Sequence, residues 1–314
     1  MPRADISIYP NTMARTSALQ GIPIREDVLF TNEKGEENAK ARRQNEKYFQ
    51  KLAPALARLL LPDEAVFYVV RAQSQLSALE QFTAGWWVML MAGCAIVATN
   101  RRLLIFPVKM DGSWRESAQS VLWGDLAEVK VSGVLSKTLK LRFQDGKSAS
   151  YLRIPRGNGL ALEAIAAAMM PAAVGEQSPY RGMVSLCPDC RNVLTPRVYA
   201  CGTCGLVFKN EKTMRMYSIF LPGGGDFYIG YPILGIFLCI AEGFVLLGLF
   251  GELAAGKPED ALPLLVTFAF LWAIETAVTI LHSQRHVRQF IPLKRTNLPA
   301  DAFAAGAGQG PRPF

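Results

Sequence analysis

The chain has 314 residues, half of them apolar and 19% charged, with a formal net charge of +8, whereas a soluble globular chain carries about a quarter charged residues. The apolar excess is concentrated in runs 231–250 and 261–281, each long enough to cross a hydrocarbon core; this argues against a wholly soluble protein and, with no third run, against a large polytopic transporter. The two histidines, His282 and His286, both follow the second run, which leaves Ser-His-Asp, Cys-His and His-ligated metal mechanisms almost nothing to work with.

In chain order, residues 1–31 carry scattered Pro, Gly, Asn and Thr without a period and are expected to form a mobile arm. Residues 32–61 turn helical, with an apolar stripe of Leu52, Leu56, Leu59 and Leu60 interrupted by Pro54 and stopped by Pro62. From Glu64 the period becomes two, as in strands. Val66–Val70 and Thr83–Leu90 are expected strands, and Ala95–Thr99 joins Leu103–Val108 through Asn100-Arg101-Arg102. The alternation of Leu139, Leu141 and Phe143 with Lys140 and Arg142 turns at Asp145-Gly146 into Ser148–Ile154. Pro155 and Gly157 end the sheet, Asn158 is the expected N-cap, and Leu162, Ile165 and Met169 line a helix that Pro171 terminates.

Several antiparallel strands followed by one helix, together with Thr99-Asn100-Arg101-Arg102-Leu103-Leu104, Val121-Leu122-Trp123-Gly124-Asp125-Leu126 and Asp145-Gly146, resemble the bacterial PH-like and GRAM-like branch of the pleckstrin-homology superfold. The resemblance implies a β-barrel with a C-terminal helix over residues 64–171, with Gln73–Trp87 as an insertion. Lipid-binding members grip phosphates with a basic cluster in the first strand loop, where this chain has Arg71 alone. Contact with a protein or self-association is therefore expected ahead of specific lipid binding, with anionic lipid as a possible partner.

Residues 172–185 have linker composition and lead to Cys187-Pro-Asp-Cys190, ten residues, and Cys201-Gly-Thr-Cys204-Gly205. Two Cys-x-x-Cys knuckles can close one tetrahedral site of four thiolates. The pattern over 186–210 resembles a zinc ribbon, which implies a structural Zn2+ whose binding folds a segment too small to fold alone. Cys94 and Cys239 are single and are expected to be packing residues. Arg191, Arg197 and Lys209 lack an aromatic ladder, so no nucleic acid is expected.

Residues 214–290 hold both long apolar runs. Lys209, Lys212 and Arg215 precede the first, and Arg285, Arg288, Lys294 and Arg295 follow the second, whereas the connection holds Lys257 against Glu252, Glu259 and Asp260. The positive-inside rule then places both termini, including the tail 291–314, in the cytoplasm. Phe227-Tyr228-Ile-Gly230 after a Gly-rich turn, with Trp272 in the second run, resembles the TM-two family of membrane hairpins. Glu275 stands where that family has Asp, and Asp226 where it has a basic residue. Glu242 and Glu275 lie inside the runs, where a charge costs about 2.5–3.5 kcal/mol. Counted from the inner ends of the runs their depths differ by about 7 Å, so each is expected to need another partner. For Glu275 the expected donors are the loop 222–230 or the Tyr228 hydroxyl.

The expected whole is a multidomain α+β protein: a PH-like barrel, a zinc ribbon and a two-helix anchor at a bacterial inner membrane. With no nucleophile and base in sequence reach of each other, a non-enzymatic scaffold or adaptor is the expected function. The alternative is an ion or small-molecule pathway formed by oligomerised hairpins through Glu242 and Glu275.

Overall fold

A computed structural model of the chain describes residues 16–30, 39–78, 80–81, 91–255 and 258–293. It is a mixed α+β structure with a large, mainly antiparallel sheet. The strands are β1 (Thr16–Leu19), β2 (Ile22–Arg25), β3 (Val66–Ser74), β4 (Gly93–Thr99), β5 (Arg102–Pro107), β6 (Ala118–Leu122), β7 (Leu126–Ser132), β8 (Ser136–Phe143), β9 (Ser148–Pro155) and β10 (Val184–Leu186). The main path runs β10-β6-β5-β4-β3-β9-β8-β7, with β2 against β3 and β1 against β2. The described pairings leave β7 and β10 as edges, so the barrel expected from the sequence does not close among the described residues.

Helices α1 (Glu26–Leu29), α2 (Ala39–Leu59) and α3 (Arg156–Ala172) flank the sheet. Strands β3 to β5 are buried on both faces. One face, with Tyr68, Val70, Ile96, Leu103 and Ile105, packs on α3 and on β7 to β9. The other, with Val69, Val97, Leu104 and Phe106, packs on Phe49, Leu52, Leu56 and Leu59 of α2. Burial on two faces is why these strands read as unbroken apolar runs. By contrast, β8 alternates cleanly, with Leu139, Leu141 and Phe143 inward and Lys140 and Arg142 exposed, because its other face meets solvent.

The C-terminal end of α2 is tied to the β4–β5 turn by a buried ion pair. Arg102 donates from Nε and Nη2 to Glu64 at 2.8 and 2.7 Å, and from Nη2 to the Leu59 carbonyl at 2.9 Å. Glu64 also accepts from Thr99 Oγ1 at 2.7 Å and Leu61 N at 3.0 Å. A buried pair needs this completeness, because its desolvation is repaid only when the remaining lone pairs and protons are also satisfied.

Several expectations change. Residues 16–29, placed in the mobile arm, form β1, β2 and α1, and Ile22, Ile24 and Leu29 are core residues. Helix α2 continues through Pro54, whose ring is on the exposed face, so the hydrogen bond it removes belongs to a solvated carbonyl. Asn158 lies inside α3, which begins at Arg156, and the helix runs one residue past Pro171. Within the motif Val121–Leu126, a 3-10 turn at Trp123–Asp125 separates β6 from β7. In the linker, Ser178 binds Asp125 through N at 2.8 Å and Oγ at 2.6 Å, and Val184–Leu186 pairs with β6. The expected strand Thr83–Leu90 lies outside the described residues.

Helices α4 (Glu211–Phe220), α5 (Gly224–Ile229), α6 (Pro232–Ala254) and α7 (Pro258–Val287) follow the cysteines. Two of them, α6 and the part of α7 from Leu262, are long and apolar enough to cross a membrane. Their large side chains point outward: Phe244, Leu247 and Phe270 are 70%, 68% and 64% exposed.

Candidate functional site

The four cysteines are built by one backbone pattern used twice, fourteen residues apart. Arg191 N donates to Cys187 O at 3.0 Å, and Gly205 N donates to Cys201 O at 2.9 Å. Cys187 N donates to Asn192 O at 2.9 Å, and Cys201 N to Leu206 O at 2.8 Å. Bridges Leu186↔Val193 and Ala200↔Val207 close the two turns. The residue after each second cysteine is left-handed, Gly205 at φ +73° and Arg191 at φ +65°. Glycine takes that conformation freely, whereas arginine is strained there.

The two knuckles face each other. Cys187 Sγ lies 3.5 Å from Cys204 Sγ, and Cys190 Sγ 3.5 Å from Cys201 Sγ. All four sulfurs lie within 4.8 Å of one another, so this cluster could hold a metal ion. Four thiolates about 2.3 Å from a central ion form a tetrahedron with edges of about 3.8 Å, which these spacings approach. Burial pushes the Cys187 thiol up and the Cys190 thiol up to about 11. Burial also opposes ionisation of Cys201, but the backbone N–H groups of Cys204 and Thr203 together with the Cys190 and Cys204 thiols outweigh it and bring that thiol down. Buried thiols without a cation are reluctant ligands; a bound cation favours their thiolates and releases protons.

The sequence suggests that the linker separates the cysteine segment from the sheet, and the structure corrects this. Leu186 belongs to the α2-side core, and Arg191 Nη1 donates to the Leu60 carbonyl at 3.0 Å. On its other side the segment meets the end of α7. Phe208 packs edge-on to Phe290 at 5.5 Å, Lys209 N donates to Ile291 O at 2.9 Å, and Leu293 N to Val207 O at 3.1 Å. The first residues of the expected tail are therefore paired.

A second cluster lies where the chain enters α6. Gly223 N donates to Glu275 Oε1 at 3.1 Å, and Thr279 Oγ1 donates to the same oxygen at 2.8 Å. Gly223 has φ +61°, and a Cβ there would lie 2.7 Å from Gly235 Cα, so glycine is required twice. The loop is thus a donor to Glu275, as expected. Tyr228 is not: its hydroxyl accepts from Asn210 N at 3.0 Å, and its ring stacks on Tyr217 at 5.6 Å. Trp272 is also elsewhere, 37% exposed and stacked on Phe268 at 6.3 Å.

Glu242 does come close to Glu275, against the depth arithmetic, near enough for the two charges to act on each other. The reason is that α7 extends to Val287, beyond its apolar run. From the helix ends the two acids lie about 15 and 18 Å deep, a difference of about 3 Å. Buried Asp226 stands close enough for Glu275 to act on its charge. Burial first, then Glu275, pushes the Asp226 carboxyl up to about 7, and its Oδ1 has no hydrogen-bond partner among the described residues.

No sequence signal marks the residue that joins sheet to hairpin, Arg115 in the β5–β6 connection. It is 7% exposed. Its Nη1 donates to the Tyr231 hydroxyl and lies 3.4 Å from His286 Nδ1, its Nη2 donates to Ile229 O at 2.8 Å, and the guanidinium covers the Tyr231 ring at 4.5 Å. Burial lowers its pKa, which the Tyr231 hydroxyl opposes, yet arginine stays charged. Around it, Ser117 Oγ donates to Gln289 O, Tyr231 OH to Met91 O at 3.2 Å, and Arg285 Nη2 to Gln75 O at 3.1 Å. Buried His282 and His286 face the sheet-bearing part of the chain.

Two outcomes are expected. Elemental analysis of freshly purified protein should give one metal ion per chain, and Cys201→Ser should lose it while opening the 187–206 segment to protease; equal metal in both proteins would remove the site. Glu275→Gln should keep most of the stability because its amide oxygen still accepts, whereas Glu275→Leu should cost about 1–3 kcal/mol by leaving the Gly223 N–H unpaired. Thermal unfolding in detergent measures the difference, and equal stability of the two variants would contradict the assignment.

No family model matches this chain, and no curated protein or solved structure matches it, so the chemistry of these residues carries the functional reading.

Proposed function

We propose that the chain is a non-enzymatic scaffold or adaptor, anchored at the cytoplasmic face of a bacterial inner membrane by α6 and α7. The observation that carries this reading is Arg115, whose bonds mount the sheet on the chain at the inner end of the hairpin. A module fixed in this way presents its surfaces to partners at a set height and orientation above the bilayer.

Outward apolar side chains along both helices support the membrane, since a soluble monomer rarely exposes so large a contiguous apolar patch. The Lys and Arg residues flanking the pair, against the acidic connection, support cytoplasmic termini. Strand order β6-β5-β4-β3-β9-β8-β7, with α3 packed on the inner face, supports a PH-like module. The all-thiolate cluster supports structural Zn2+, because a site with every ligand position filled by cysteine keeps no open position for catalysis. The metal centre then acts as a rigid block between the sheet and the end of α7.

The tip of the β7–β8 hairpin offers a contact surface for a protein partner: Val134 and Leu135 are 81% and 94% exposed. A second reading, an ion or small-molecule pathway through oligomerised hairpins, is favoured by one observation: neither carboxylate oxygen of Glu242 has a hydrogen-bond partner among the described residues. The fixed position of Glu275 against Gly223 favours the scaffold.

Site-specific photocrosslinking in native membranes tests the proposal. A photoreactive residue at Leu135 should yield one saturable, near-stoichiometric protein adduct, and one at Phe244 should yield lipid adducts. Absence of a discrete adduct from Leu135, together with cation flux in proteoliposomes that Glu242→Gln abolishes, would replace the scaffold by the pathway.

A further inference from the structure

The turn between α4 and α5, Leu221-Pro222-Gly223, sits beside the two long helices rather than above them. Gly223 N donates to Glu275 Oε1 at 3.1 Å, and Cys239 Sγ donates to the Pro222 carbonyl at 3.0 Å. Thr276 Oγ1 donates to the Ser218 carbonyl at 3.5 Å, and a Cβ on Gly225 would lie 2.6 Å from Thr279 Cγ2. At 1.5 Å per residue, Cys239 is about 10 Å along α6 from Pro232, and Thr276 and Glu275 are about 10 and 12 Å further in than Ser283, where the polar end of α7 begins. The outer ends of α4 and α5 are level with that polar end. Glu211, which opens α4, accepts from Arg288 Nε at 3.2 Å, and Tyr228, near the end of α5, accepts from Asn210 N at 3.0 Å. The chain therefore descends along α7 through α4, turns at Pro222, and climbs back through α5 to Tyr231, whose ring lies 5.3 Å from that of His286.

A turn at this depth meets a strict condition. Hydrocarbon offers no hydrogen bonds, so non-helical backbone persists there only where the protein itself pairs the polar groups. Leu221 N donates to Tyr217 O at 3.0 Å, Pro222 has no N–H, Gly223 N goes to Glu275, and Gly224 N donates to Leu221 O at 2.7 Å. Of the remaining carbonyls, that of Pro222 takes the Cys239 thiol, and that of Gly223 takes Asp226 N and Phe227 N at 3.0 and 3.1 Å. Two of these partners, Glu275 and Cys239, come from the long helices. A turn in water needs neither, because solvent supplies both a donor and an acceptor.

Helix α4 itself has two faces. Met214 and Ser218, one turn apart, are buried, and Met214 packs with Ile229 and Val287. On the outer face Met216, Ile219 and Phe220 form an exposed apolar stripe, Phe220 at 74%, with Lys212 one turn nearer the start of the helix. From this geometry we propose that residues 211–229 form a re-entrant helical hairpin, which dips into the leaflet nearer the sheet against α6 and α7, and that its outer stripe contacts lipid acyl chains. The stripe lies at the level of Ile236, Phe237 and Ile240, which α6 also turns outward. Lys212 and Arg215 stand toward the start of α4, where a cation meets headgroup phosphates while its stem lies along apolar surface. Because the hairpin occupies one leaflet only, the anchor is wider on the side of the sheet. This surface presupposes that α6 and α7 cross the bilayer, as proposed above, and does not depend on the scaffold reading.

Collision measurements on spin labels test it, with the labels carried by non-canonical amino acids in the full chain and the chain in vesicles of phosphatidylcholine and phosphatidylglycerol. Molecular oxygen, an apolar solute, concentrates among acyl chains, whereas a nickel chelate stays in water. A label at Leu247 reports whether α6 is in the bilayer, one at Phe220 whether α4 is, and one at Lys212 marks the headgroup level. Phe220 should collide with oxygen in preference to the chelate, as Leu247 does, whereas Lys212 should favour the chelate. If Phe220 behaves like Lys212 while Leu247 is shielded from the chelate, the re-entrant hairpin is overturned and the spans stand. Chelate access at Leu247 overturns both. A Phe220 label that neither reagent reaches overturns the lipid contact, since protein, such as a second copy of the chain, then covers the stripe.

Discussion

A single buried cation sets the relation between the parts of this protein. Arg115 leaves the sheet and ends among Tyr231, the Ile229 carbonyl and His286, all from the hairpin and the loop before it. A guanidinium taken out of water is tolerated only when its donors are satisfied, and every acceptor here belongs to the other part. Separating the two would return the charge to solvent and also release Ser117 from Gln289 and Arg285 from Gln75. The cysteine segment braces the same junction from the side, reaching α2 through Arg191 and the end of α7 through Phe208.

That arrangement explains why the polar groups of the hairpin cluster near its loop. The chain turns into α6 on Gly223, whose backbone lies too close to Gly235 for any side chain and hands its N–H to Glu275. Glu242 and Asp226 both stand close enough to feel the charge of Glu275. An acid inside an apolar helix pair is costly, and here one such acid closes the loop that precedes the first helix. In the sheet, a bulge between Tyr151 and Ile154 of β9 holds Arg153 at φ +57°, and that local strain persists because the surrounding pairings over-determine it.

Much of this was legible in the sequence where the signal is local. Cys187, Cys190, Cys201 and Cys204 announce their site by spacing, because each knuckle is a turn that closes on itself. The β8–β9 hairpin was legible from its alternation and its Asp145-Gly146 turn. What escaped depends on partners far along the chain. Ile22 and Ile24 look like loop residues until β3 and α2 cover them. Arg115 meets groups more than a hundred residues away, and no pattern in its neighbours marks it. The closeness of Glu242 to Glu275 is not legible in the apolar runs, because α7 extends beyond its run and the depth of Glu275 follows the helix rather than the run.

The central claim is that Arg115 holds the sheet in one orientation on the hairpin, and a distance distribution tests it most directly. Spin labels carried by non-canonical amino acids at Leu135 and Leu265 leave the clustered cysteines untouched, and pulsed electron resonance reads their separation in nanodiscs. The account predicts one narrow distribution in the wild type and a broad one in Arg115→Met, with the sheet still folded. A distribution equally narrow in both, or already broad in the wild type, would contradict it.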